Sequence, residues 1–155
     1  YLFVDLPPGT GDIHLTLAQK VPLTGAIIVT TPQELATLDA RKGLKMFQKV
    51  SVPILGVVEN MSSYICPNCK HVENIFGDGG GKVLSDEYQV DFLGSLPLNK
   101  KTREDSDNGI PSLISNADSV SAKLYNQIAI KIGKKIASIN KDFTNKFPKI
   151  IVKKD

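Results

Sequence analysis

The chain has 155 residues, of which 41% are apolar and 23% charged, and a net charge of +3. This composition excludes a disordered or fibrous protein and suits one globular domain with a proper core. No apolar run approaches the roughly 20 residues that cross a bilayer, and two cysteines in a single Cys-x-x-Cys argue against a disulfide framework.

Two thiols without partners make a reducing compartment the simpler expectation, the cytoplasm first, with an organellar form left open. The charge is uneven. Residues 131–155 carry eight lysines against two aspartates, a net +6 that leaves −3 for the remainder. No arginine is interleaved, so this end is read as a solvated helix face and a loose tail. Neither a nucleic acid nor a membrane is expected as partner.

Taken in order, Tyr1, Leu2, Phe3 and Val4 read as a buried strand that runs into Asp5 and the turn Pro7-Pro8-Gly9. A carboxylate at the carboxyl end of a parallel strand stands where open α/β sheets bind ligands, and it can hold Mg²⁺ directly or through water. Gly9 lets the backbone approach a phosphate. An ordinary strand-to-turn junction accounts for the same residues. Asp12 to Lys20 fits either period, and Asp12 as N-cap favours a helix. His14 is expected at the surface with no role.

Residues 25–30 form a second strand. A helix follows, with Thr31 as N-cap, Pro32 at its first position and Glu34 closing a capping box. Leu35, Leu38, Leu44 and Phe47 mark its buried face. The corner at residues 30–33 is expected to face a ligand. Residues 54–59 form a third strand that ends at Asn60, whose amide suits the N6 amine and N7 of adenine. An ordinary turn residue is the alternative.

Cys66-Pro67-Asn68-Cys69 lies in a loop, where two thiolates at this spacing can grip one zinc or one cluster iron. Two ligands are half a site, so the arithmetic asks for a second copy of the chain about a two-fold axis. A redox dithiol, a zinc clasp and two inert thiols are the alternatives. Residues 77–82, Gly-Asp-Gly-Gly-Gly-Lys, imitate a phosphate loop but miss its spacing and its final Ser or Thr. They are read as a flexible connection that opens a helix ending near Tyr88. Residues 92–96 form a fourth strand, followed by Pro97 and Leu98. A last helix is expected from about Asn116, with Val120, Leu124, Ile128, Ile132 and Ile136 buried. Strands alternating with helices predict an α/β fold, a mostly parallel sheet with flanking helices.

Several of these segments, in register, resemble the Mrp/ApbC family of iron–sulfur carriers in the MinD-like branch of P-loop ATPases. They are residues 5–12 (Asp-Leu-Pro-Pro-Gly-Thr-Gly-Asp), Thr30-Thr31-Pro32-Gln33, Asp39-Ala40-Arg41-Lys42, Val58-Glu59-Asn60-Met61-Ser62, Cys66-Pro67-Asn68-Cys69, Ile75-Phe76-Gly77 and Gly79-Gly80-Gly81. The resemblance spans roughly residues 1–135 and implies a partial Rossmann-like P-loop NTPase domain over residues 1–138, with a basic tail at 139–155. It implies ATP and Mg²⁺ as ligands, with Asp5 and Gly9 as catalytic switch residues and Asn60, Pro97 and Leu98 around the base. It also implies that Cys66 and Cys69 hold a [4Fe–4S] cluster bridged to the partner of a homodimer, or zinc in its place, and that apo iron–sulfur proteins are clients. The polar stretch at 100–112 resembles the family's mobile segment.

The family's two-lysine phosphate loop is not in the sequence. The chain has no initiator methionine and opens inside a strand, so it is read as part of a longer ATPase and is not expected to hydrolyse ATP alone. The functional expectation is an ATP-dependent iron–sulfur cluster carrier. A MinD- or ParA-like regulatory ATPase and a zinc-clasped dimerisation module are the alternatives.

Overall fold

The computed structural model describes residues 1–7, 9 and 11–139. The expected loose tail from residue 140 onward lies outside them. The elements run α1 (Asp12–Lys20), β1 (Ala26–Thr30), α2 (Glu34–Lys49), β2 (Ile54–Glu59), β3 (Tyr64–Ile65), β4 (Val72–Glu73), α3 (Gly80–Glu87), β5 (Phe92–Ser95), α4 (Lys100–Asp107), α5 (Ser112–Ser115) and α6 (Val120–Ser138).

Strands β1, β2 and β5 form a parallel sheet in the order β1-β2-β5. The central strand β2 buries five of its six residues, as a parallel strand covered on both faces must. On one face, Val57 and Ile28 pack with Leu44, Met46 and Phe47 of α2 and Leu84 of α3. On the other, Leu55, Val58 and Leu93 pack against Ile128 and Ile132 of α6. The expected α/β architecture, a parallel sheet with flanking helices, is the one observed. Among the described residues no helix is long and apolar enough to cross a membrane.

The first expected strand is not formed. Residues 1–5 pair with neither sheet, and Tyr1 and Leu2 are 97% and 89% exposed. A strand requires a neighbour's hydrogen bonds, which apolar β-forming side chains do not supply by themselves. Only Leu6 from this stretch packs against the core.

Helix starts were the other points of difference. Helix α2 begins at Glu34 behind Gln33, with no side-chain cap, because the Thr31 hydroxyl is spent on the Gln33 side-chain oxygen. Its buried face is Thr37, Leu44, Met46 and Phe47, while Leu35 is 75% exposed and Leu38 is also exposed. Gly11, and not Asp12, precedes α1, so Asp12 supplies a favourable negative charge in the first turn. The last helix starts at Val120 because the Ser119 hydroxyl accepts the Ala122 N–H at 3.1 Å. Val120 itself is exposed.

Candidate nucleotide and metal site

The register of the sheet levels its carboxyl ends. Thr30 lies opposite Glu59, and Glu59 opposite Ser95. The three loops that follow leave from one edge, the usual ligand edge of an open α/β sheet. They are bonded across: the Asn60 N–H donates to the Thr30 carbonyl at 2.7 Å and the Leu96 N–H to the Glu59 carbonyl at 2.8 Å.

Beside these loops is a cavity of about 240 Å³. Asn60, Pro97 and Leu98 all line it, so the three residues expected around a base are brought together. The Asn60 side-chain oxygen accepts the Met61 N–H at 2.9 Å, and its two amide donors have no partner among the described residues. The space is smaller than the roughly 300–1,000 Å³ of whole-ligand sites and suits part of a nucleotide. Sequence reading missed the far wall, made of Thr102 and Arg103 of α4 and Ser121 and Tyr125 of α6. The available signal was the spacing 99, 102, 103, 106 of polar residues on one helical face. A larger cavity of about 470 Å³ lies at the start of β5 and contains none of the expected residues. Its Lys131 is bonded to the Leu93 carbonyl and its Lys135 to Asp91.

From Asn60 the chain runs directly into the cysteine hairpin. Strands β3 and β4 are antiparallel, and the Cys66 N–H donates to the His71 carbonyl at 2.9 Å. The Lys70 N–H returns to the Cys66 carbonyl at 3.0 Å, with Lys70 in the left-handed region at φ +63°. Cys66 is half-buried, Cys69 is exposed, and both are free thiols. The backbone N–H groups of Cys69 and then Asn68, followed by the Cys69 side chain, hold the Cys66 thiol below its ordinary range, with Lys70 adding to the effect. No third His, Cys, Asp or Glu joins the pair among the described residues. What the fold presents is a pair of free sulfurs on one hairpin.

The hairpin and the cavity share backbone. Leu98 forms a parallel bridge with Tyr64, and its N–H donates to the Ser63 carbonyl at 2.7 Å. The Ser62 N–H and hydroxyl both donate to the Leu96 carbonyl, at 3.0 and 3.2 Å.

Asp5 and Gly9 lie apart from this cavity, whose lining includes neither. Both are exposed, no ion pair among the described residues engages Asp5, and Gly9 sits at φ +93° with open space where a Cβ would be. His14, expected at the surface, is only 5% exposed. Its Nε2 is 2.9 Å from the Pro7 carbonyl and its Nδ1 3.3 Å from that of Gly11. The imidazole therefore ties α1 back to Pro7. Local sequence offered no sign of this, because the partners are backbone carbonyls.

Within the glycine run, read as a flexible connection, Gly80 and Gly81 are held by close packing. A Cβ on Gly80 would lie 2.4 Å from the Pro32 carbonyl oxygen, and one on Gly81 would lie 2.9 Å from the Glu59 Cβ. The Glu59 carboxylate, buried at the end of β2, accepts the Gly81 N–H at 2.6 Å. It is a negative group at the start of α3, where free N–H groups favour one. Pro32 of the corner at residues 30–33 thus packs against the start of α3, and no residue of that corner lines the cavity. The stretch at 100–112 is largely helical, as α4 and α5.

Residues 1–133 match the ParA family described as NUBPL iron-transfer P-loop NTPases. An iron–sulfur cluster carrier protein of Pseudomonas fragi is 57% identical over 134 residues, covering 86% of this chain and 47% of that protein. The chain therefore spans about half the length of this curated relative. The cell-division ATPase MinD of Pyrococcus furiosus has the same fold, with a TM-score of 0.57 at 24% identity over 72% of this chain and 43% of the other. A nucleotide-binding protein of Archaeoglobus fulgidus, solved with ADP, is 29% identical over 94% of this chain and 49% of its own, with a TM-score of 0.50. The parallel sheet, the loops at its carboxyl edge and this match over residues 1–133 lead to one conclusion: the chain belongs to the ParA family of NUBPL-type iron-transfer P-loop NTPases.

Proposed function

We propose that the complete protein is an ATP-dependent iron–sulfur cluster carrier that acts as a homodimer and delivers a [4Fe–4S] cluster to apo iron–sulfur proteins. The observation that carries this reading is the two-thiol hairpin joined by backbone hydrogen bonds to the Asn60 cavity. Cys66 and Cys69 supply two of the four thiolates that such a cluster takes, and a second copy supplies the others. The carrier name and the ADP complex belong to the relatives, and they support this reading. Free thiols suit a reducing compartment such as the cytoplasm.

Asn60, Pro97 and Leu98 would hold the adenine. The phosphates would lie toward residues 5–9, where Gly9 leaves the backbone open and the exposed Asp5 carboxylate is available to the water shell of Mg²⁺. When bound, that ion neutralises phosphate charge. The lysine-bearing phosphate loop would come from the half of the relatives that this chain does not span, and this chain alone would not hydrolyse ATP. Occupancy of the Asn60 cavity would be felt at the hairpin through the residue 62–64 and 96–98 backbone.

The test uses the complete protein containing this chain, reconstituted without oxygen. Cluster transfer to an apo-protein should be abolished by Cys66→Ala, while ADP binding persists. Transfer that survives Cys66→Ala and Cys69→Ala alike would contradict the proposal.

A further inference from the structure

The wall of the Asn60 cavity contributed by α4 has an unusual anchorage. Asn99, Thr102, Arg103 and Ser106 face the cavity, three and four residues apart as one helical face requires. Asp105 lies off that face and is only 3% exposed. Its carboxylate accepts the Ser115 hydroxyl at 2.6 Å and the Ser112 hydroxyl at 3.1 Å, both from α5. It also pairs with the Lys101 ammonium at 2.7 Å. Lys101 and Ser115 together hold the Asp105 carboxyl below the usual carboxylate range.

Apolar packing does little here. Asp105 is the only buried residue of α4, and α5 buries none, leaving Leu113 and Ile114 exposed. On the cavity side, the ties from Asn99 and Thr102 to the Ser121 hydroxyl are both 3.5 Å long, at the limit of a hydrogen bond. A buried carboxylate with three donors is the stronger attachment, since bonds to a charged group outweigh neutral ones.

We propose that Asp105 is the positioning residue of the cavity, fixing α4 through α5 so that Thr102 and Arg103 stand at the right distance from a bound base. The inference rests on the reading of this cavity as the base site. Asp105 itself touches no ligand; it acts through the helix that carries the lining.

The test measures ADP and GDP affinity by calorimetry in the complete protein, for wild type and for Asp105→Ala, Asp105→Asn, Ser115→Ala and Asn60→Ala. Asp105→Ala is expected to weaken ADP binding about tenfold or more and to narrow the preference for ADP over GDP. Asp105→Asn keeps an oxygen for the serine hydroxyls and should fall between wild type and Asp105→Ala. Should Asp105→Ala fail to fold, Ser115→Ala reads the same anchorage and should also narrow the preference. Equal losses for ADP and GDP would mean general destabilisation and would overturn the inference. So would unchanged binding in the Asp105 variants beside weakened binding in Asn60→Ala. Unchanged binding in Asn60→Ala as well would instead remove the base from this cavity, and the reading on which the inference rests would fail first.

Discussion

The Leu98 N–H lies 2.7 Å from the Ser63 carbonyl, and this bond ties a residue that lines the cavity to the strand that leads into Cys66. Tyr64 completes the bridge from the hairpin side. A ligand that orders the residue 96–98 loop must therefore bear on the hairpin backbone, because the two share hydrogen bonds and not merely proximity.

Hydrogen exchange tests this route. In the complete protein, ADP should slow exchange at the Leu98 and Ser62 amides and, with them, at the Cys66 amide bonded to His71. Slowing confined to Leu98, with Cys66 unchanged, would leave the two sites uncoupled through this backbone.

The depressed Cys66 thiol gives a second expectation. A thiol whose pKa is lowered carries more thiolate at a given pH, and thiolate is both the nucleophile and the metal ligand. Alkylation of Cys66, followed by peptide mass analysis, should have its pH midpoint below the ordinary thiol range. Cys69→Ala should raise that midpoint only in part, since the backbone N–H groups of residues 68 and 69, the larger causes, remain. An ordinary midpoint in the wild-type chain would show that the hairpin turn does not donate to the sulfur.

Two glycines should respond to alanine with opposite signs. Gly43 lies within α2 with open space where a methyl group would stand, so Gly43→Ala should stabilise the fold by about 0.5–1 kcal/mol. Gly80→Ala drives a methyl to 2.4 Å from the Pro32 carbonyl, and backbone cannot yield cheaply there. It should cost about 1–3 kcal/mol. Urea denaturation of both variants decides, and a Gly80→Ala as stable as wild type would return the glycine run to a simple flexible link.

The parts of this fold legible in the sequence were those governed by neighbours along the chain. The strands at residues 26–30, 54–59 and 92–95 announce themselves as β-branched or apolar runs between turn signals. Asn60, Pro97 and Leu98 line one cavity because strand ends in a parallel sheet are brought level by the register. What local sequence did not reveal depends on distant groups. His14 is buried by the Pro7 carbonyl, Glu59 by the Gly81 N–H, and Asp105 by two serines on another helix. Residues 1–4 have the composition of a strand, yet pairing is decided by a neighbour. Leu35 and Leu38 kept the helical period but not the buried side, which the packing of α2 on β1 selects.

In the proposed carrier, Cys66 and Cys69 form half of a cluster site completed by a second copy of the chain. Iron and sulfide content measured together with native mass, on the complete protein reconstituted without oxygen, decides whether this is so. The expected result is a dimer carrying one [4Fe–4S] cluster, about two iron atoms per chain, lost in both Cys66→Ala and Cys69→Ala. A monomer that retains about four iron atoms, or a dimer whose iron survives both substitutions, would contradict it.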